Sequence, residues 1–283
     1  LAGIVLSEGE LSLALDGERA RIERLRFKGG DGTLDLSGDA TLGAKPSARL
    51  QVLADHFRLL GRIDRRLVAS GRADVALDPE RLEVDGRFTL DEGLIDVSQG
   101  DAPTLDNDVL VLPRESMASA RPQDERAANG VLPAPLRNAQ VAVTIDLGKA
   151  LKLRGRGLDT GLRGELRVSS PGGQMALNGS VRTEGGNYAA YGQKLEITRG
   201  EIAFSGQANN PRLDVLAVRP NLDVQVGVAI AGTALAPRIR LFSEPDMSEM
   251  DKLSWLVLGR GPDGLGRTDT ALLQRAAVAL LVC

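Results

Sequence analysis

An all-β chain is what this sequence predicts: a sheet that its glycines allow to curve into an elongated trough with an apolar groove, and one or two short amphipathic helices at the C-terminal end. Three observations carry that expectation. Apolar and polar residues alternate with period two over most of the 283 residues, which sends successive side chains to opposite faces of a sheet. A phrase with glycine at its centre recurs along the chain. Only after Pro245 does the apolar spacing become helical.

In chain order, Leu11, Leu13 and Leu15 alternate with Ser12, Ala14 and Asp16, and Asp16-Gly17 turns the chain. The phase slips between Ile22 and Leu25, so a bulge or short bend is expected there. Gly29-Gly30-Asp31-Gly32 is a turn. The glycine phrase then begins with Leu34, Leu36, Gly38, Ala40 and Leu42. It returns around Gly71, around Gly86 (Leu82, Val84, Phe88, Leu90), around Gly164, around Gly179 (Leu177, Val181) and before Gly232 (Val226, Val228, Ile230). Each time the glycine falls in the apolar phase. The spacing is irregular, so this is a weak repeat and not a strict solenoid period. Mid-strand glycine weakens a strand unless a bend or a close approach is wanted there. Repeated in one row, it lets each strand fold over and turns a flat sheet into a trough. Corners of an ordinary barrel or sandwich are the other solution.

Pro46, Pro79 and residues 61–66 mark loops. Residues 113–138 mix Pro113, Pro122, Pro133 and Pro135 with polar residues and lose all alternation. They read as a disordered or loop insertion inside one domain, because strand phrasing resumes at Val141. From Met175 the alternation is clean; Gly185-Gly186 predicts a turn, and Arg199-Gly200, flanked by Leu195–Ile197 and Ile202–Phe204, predicts a hairpin. About 18 strands at ~4.8 Å would make a rod on the order of 85 Å long. Residues 1–245 thus form the sheet domain and residues 246–283 the helical end. Asp246 is expected to cap the first helix, with Glu249 completing a capping box. Met250, Leu253, Leu256 and Val257 share one face, and Gly259 ends it. A second helix is expected from about Thr270. Such helices either close an open groove or link to a further part.

Composition excludes several functions. The chain is 42% hydrophobic and 26% charged with a net charge of −3, so no strong field favours nucleic acid. Aromatic residues make up 3%, too few for nucleobase or sugar stacking. Cys283 is the only cysteine, so no intrachain disulfide forms. No apolar run reaches the ~18–20 residues of a membrane-spanning helix. No leader precedes Leu1, and an apolar helical pattern is still running at Val282, so the chain is expected to be part of a larger protein.

No catalytic constellation emerges, and no cofactor or metal site. Residues 259–264 match G-x-G-x-x-G but follow a helix and contain Pro262. The pairs Asp35/Asp39, Glu83/Asp85 and Asp91/Glu92 lie in polar phases or turns, spread over a solvated face. His56, the one histidine, reads as a strand-end or turn residue. A polysaccharide-cleaving β-helix would need clustered acids and exposed aromatics, which are missing.

One long stretch carries a resemblance. Gly186-Asn187-Tyr188, Ala190-Tyr191-Gly192-Gln193, Arg199-Gly200-Glu201, Phe204-Ser205-Gly206, Asn210-Pro211-Arg212-Leu213, Gly232-Thr233-Ala234 and Phe242-Ser243-Glu244-Pro245 occur in the order of the TamB family's C-terminal domain, with Met247-Ser248, Leu253–Leu256 and Gly259-Arg260 closing the match. Residues 160–260 resemble it closely; upstream the likeness is to the strand pattern of the AsmA-like superfamily. The resemblance implies a long curved sheet with a greasy groove, the β-taco, and favours the trough over corners. It implies a periplasmic, inner-membrane-anchored protein that reaches the outer membrane. The anchor would lie in an N-terminal part missing here. Two roles follow: carrying phospholipid between the membranes by its acyl chains, or scaffolding outer-membrane protein assembly and autotransporter secretion with a TamA-type barrel. On the first, Leu34, Leu36, Leu82, Val84, Phe88, Leu177, Val181, Val226, Val228 and Ile230 are expected to line the groove, with Glu83, Asp85 and Arg182 outside.

Overall fold

The computed structural model describes residues 7–61, 64–98, 138–190, 192–262 and 273–274. The strands are β1 Ser7–Asp16, β2 Arg19–Gly29, β3 Gly32–Thr41, β4 Ser47–Gly61, β5 Arg65–Leu77, β6 Leu82–Asp96, β7 Gln140–Asp146, β8 Leu151–Gly155, β9 Leu158–Ser169, β10 Ala176–Ala190, β11 Gln193–Gly206, β12 Arg212–Val218, β13 Gln225–Thr233 and β14 Ala236–Glu244. An α-helix, α1, covers Glu249–Leu258. All strands join one 14-stranded sheet in near-sequential order, β8 sharing a place with β7 between β6 and β9. The protein is an elongated all-β sheet with a helix at its C-terminal end.

Nearly every neighbour pair is an antiparallel hairpin, as short turn-bearing connections require. The exception is β6, which pairs in parallel with β7 and with β8. Parallel neighbours need a crossover of a dozen or more residues. Residues 99–137, which contain almost all of the expected insertion, lie outside the described residues, and they separate those two strands. The strand phrasing gave no sign of this change of direction.

Long continuous strands replace two of the expected turns. Fourteen strands occur among the described residues instead of about 18, and side by side they span roughly 60 Å at ~4.8 Å per step. Gly185-Gly186 is no turn: β10 runs through it, with a register shift against β9 between Glu184 and Asn187. Positive-φ glycines serve a bulge as readily as a turn, and a Cβ on Gly186 would lie 2.5 Å from the Asp159 carbonyl oxygen. Nor is Arg199-Gly200 a hairpin. It lies inside β11, where the register against β12 shifts between Ile197 and Arg199. The turn between β10 and β11 falls one step earlier, next to Gly192, where Ala190 pairs with Gln193. The expected bulge between Ile22 and Leu25 is present.

At the helical end, Ser248 and not Asp246 is the N-cap: its hydroxyl accepts the Asp251 amide at 3.2 Å. Asp246 instead pairs with Lys252 at 2.9 Å. The chain between Pro245 and Ser248 is extended, so the helix starts two residues later than the acidic signal suggests. Gly259 closes α1 in the left-handed region at φ 78°. Of the second expected helix only residues 273–274 are described; they are helical, and Leu273 packs against Leu253 and Val257. Replacing Ser248 by alanine should cost about 1 kcal/mol, read as a lower thermal midpoint; an unchanged midpoint would show that α1 is held by packing alone.

Candidate functional site: one apolar face

Directly paired residues share a face of a sheet, so the registers trace one surface from strand to strand. Leu11 pairs with Leu25, Leu25 with Leu36, and Leu36 with Val52. Val52 pairs with Ala73, Ala73 with Gly86, Gly86 with Val143, and Val143 with Val168. Val168 pairs with Leu177 and Leu177 with Gly206; two residues along these strands, Ile202 pairs with Leu213, and Val215 with Ile230. Ile230 pairs with Ile239. The register places Leu34, Leu36, Leu82, Val84, Phe88, Leu177, Val181, Val226, Val228 and Ile230 on this one face. Glu83, Asp85 and Arg182 lie on the other. The bulges keep the face continuous: the shift after Ile197 restores the phase, so Leu195, Ile197, Ile202 and Phe204 all lie on it.

Gly38, Gly71, Gly86, Gly164, Gly179 and Gly232 lie on the same face. At Gly71 the backbone has φ 158°, and a Cβ would stand 2.6 Å from the Phe88 Cα of the next strand. These positions let strands approach and bend where any side chain would hold them apart.

Burial is uneven along the face. Its middle forms one cluster, with Ala69, Leu90, Leu147, Leu151, Leu162 and Val181 buried and Leu166, Ile202 and Phe204 packed against them. At the β1 end the face is open, with Leu11, Leu13 and Leu15 exposed at 62%, 45% and 64%. At the other end α1 covers it: Val226 and Val228 are buried against Leu256. An open groove was expected at Val228; there it is closed instead, because Leu253, Leu256 and Val257 need an apolar surface and the last strands supply one.

Side chains at or just beyond strand ends hold that helix. Arg219 donates to the Trp255 and Leu256 carbonyls at 3.2 and 2.9 Å, and Gln193 donates to the Val257 carbonyl at 3.0 Å. Burial lowers the Arg219 pKa from its ordinary value. The negative end of the helix dipole compensates the cation there. Sequence reasoning missed both roles: Gln193 stands in one of the family phrases and Arg219 in none, and neither phrase nor spacing says that they meet the helix. Arg219→Met should weaken the seating by about 2 kcal/mol. Faster amide exchange across residues 249–258, with β5 and β6 unchanged, is the expected readout; uniform exchange would refute the latch.

The opposite face is polar and paired. Arg26 holds Asp35 at 2.6 Å, and this hydrogen bond chiefly lowers the Asp35 pKa. Arg21 meets Asp39 at 3.0 Å and Arg199 meets Asp214 at 3.2 Å. His56 is not at a strand end but inside β4, at a bulge with φ 47°. Its ring bonds Asp55 at 2.7 Å, which, with Asp91 and Glu92 nearby, raises its pKa. A raised pKa means the histidine favours the folded state at pH below its unfolded value of ~6.5, and the contribution fades as pH rises through the folded value. As the one histidine, it gives a single ring resonance; its NMR titration midpoint should lie above ~6.5 and fall in Asp55→Asn. A midpoint that does not move would discard the Asp55 contact.

Among the described residues no group of His, Cys, Asp or Glu is arranged to hold a metal ion, and no helix is long and apolar enough to cross a membrane. What the described residues display is a surface: a single elongated sheet with one continuous aliphatic face, covered by a helix at one end. The chain belongs to the TamB family, whose C-terminal domain matches residues 22–282. It is 27% identical over 274 residues to the Translocation and assembly module subunit TamB of Haemophilus influenzae, covering 92% of this chain and 21% of that protein. The chain thus spans about a fifth of the length of that curated relative.

Proposed function

We propose that the aliphatic face is a non-enzymatic path for phospholipid acyl chains between the inner and outer membranes of a Gram-negative bacterium. One observation carries the reading. Across the registered positions from Leu11 to Ile239 the face is built of aliphatic residues, phenylalanine and glycine, with few polar and no charged side chains in the strand interiors. A solvated sheet needs only one buried face if another layer covers it; here the covering layer at the described end is α1, and elsewhere lipid tails would be the partner. A charge-free lining spares an acyl chain the cost of desolvating polar groups. In the cell the setting would be the periplasm, with an inner-membrane anchor elsewhere in the protein. The protein is purified without detergent and its bound lipid is identified by mass spectrometry. Phospholipid retained by the wild type supports the path; a lipid-free protein that also takes up none from vesicles sinks it.

A second reading, a scaffold for outer-membrane protein assembly with a TamA-type barrel, rests on the outer edge of β14. Among the described residues no strand pairs with that edge, and it offers a row of backbone donors and acceptors to a client strand. The relative's name, a translocation and assembly module subunit, agrees with that role. Crosslinks from Arg238 or Arg240 to a barrel strand would support it, and their absence in cells that secrete normally would remove it.

A further inference from the structure

On the polar face, one region departs from the pairing of opposite charges. Arg72 on β5 stands directly opposite Arg87 on β6, and Asp74 stands directly opposite Asp85 one step along the same two strands. Like charges placed opposite each other in a sheet oppose folding. None of these four side chains has an ion-pair partner within 4.0 Å among the described residues. The arginine row continues: Arg87 is in register with Thr144, and Thr144 with Arg167, which is equally unpaired.

Thr144 singles the region out. It is 8% exposed on a face where its neighbours are exposed, and its hydroxyl has no hydrogen-bond partner among the described residues. All of these residues line one cavity of about 1090 Å³. Among the described residues the hydroxyl is not one of the fully buried atoms left without a partner, so it opens on the cavity, where a ligand can reach it. Flanked by two guanidinium groups, it is suited to donate to an oxyanion.

We propose that this cavity binds a small zwitterion of the phosphoethanolamine class. The phosphate takes Arg72, Arg87, Arg167 and the Thr144 hydroxyl. The ammonium takes Asp74 and Asp85. Such a ligand relieves both like-charge pairs at once, which a simple anion or cation cannot do. Asp35, on the same cavity wall, is already held by Arg26 and takes no part. The site lies on the face opposite the apolar one, so it does not depend on the lipid-path reading, and either can fail alone.

The source of the zwitterion is a lipid head group at a membrane surface or a free phosphomonoester. Calorimetric titration of this chain with O-phosphoethanolamine, inorganic phosphate and ethanolamine tests the site. O-Phosphoethanolamine should bind roughly tenfold or more tightly than either half alone. Arg87→Gln and Thr144→Val should each weaken it by a similar factor, and Asp85→Asn should bring it down to the level of phosphate. Arg72→Gln, at an exposed position, serves if Arg87→Gln does not fold. Flotation with phosphatidylethanolamine vesicles separates the sources. Arg-dependent co-flotation assigns the head group, and soluble binding without flotation assigns the free compound. Phosphate binding as tightly as the zwitterion, no saturable binding of O-phosphoethanolamine, or binding indifferent to the substitutions overturns the proposal.

Discussion

Gly164→Ala should destabilise the protein by about 3 kcal/mol or prevent folding, although it adds only one methyl group. Gly164 sits mid-strand in β9 at φ 147°, a conformation that L side chains rarely adopt. The added Cβ would run into the Ser180 carbonyl and lie 3.1 Å from the Val181 Cα on β10. Both obstacles are backbone, so no side chain can swing aside. Val181 belongs to the buried cluster in the middle of the apolar face, and pushing β10 away from β9 would open it. Gly185 is the control. It also has positive φ, 61°, but nothing lies within 4 Å of its Cβ position, and asparagine tolerates that region. Gly185→Asn should therefore cost less than ~1 kcal/mol. Urea unfolding of the two variants decides it. Equal losses would mean that the glycine row answers only for chain entropy, and that strand approach does not need it.

That contrast also shows which part of the fold was legible in the sequence. Period-two alternation is a local property, and it placed the ten positions expected to line a groove in one phase; the registers put them on one face. Glycine identity is local too, but its consequence is not. Gly17 and Gly30 turn the chain, while Gly185-Gly186 and Gly200 sit inside strands, because the next strand decides whether a flexible backbone reverses or merely bulges. The parallel pairing of β6 left no trace either, since alternation reads the same in both directions. The seat of α1 was half legible. The apolar stripe of Leu253, Leu256 and Val257 announced a surface to cover, but Arg219 and Gln193 meet the helix only through the fold.

A single carboxylate in the middle of the apolar face should interrupt lipid passage without unfolding the sheet, if acyl chains travel along it. Leu177 suits the test. It is half-buried, and its paired neighbours Val168 and Gly206 are apolar, so an aspartate there finds no cation on its own face. Empty, the site admits water and the charge stays solvated. With an acyl chain lying over it, the carboxylate loses that water, at a cost of several kcal/mol. Val228→Arg is unsuitable, because Val228 is buried beneath α1 and the cation would unseat the helix before any lipid arrived. Leu36→Asp, among Leu25 and Val52, repeats the test several strands away. Photo-crosslinkers at Val84 and Val215 flank Leu177 and report lipid on each side in cells. With Leu177→Asp, crosslinking should persist on one side and fall roughly tenfold or more on the other, while circular dichroism stays that of the wild type. Lipid crosslinked at normal yield on both sides, in folded Leu177→Asp and Leu36→Asp proteins alike, would remove the lipid path. The edge of β14, which no described strand pairs with, would then be the feature to explain, and assembly of client strands the function to pursue.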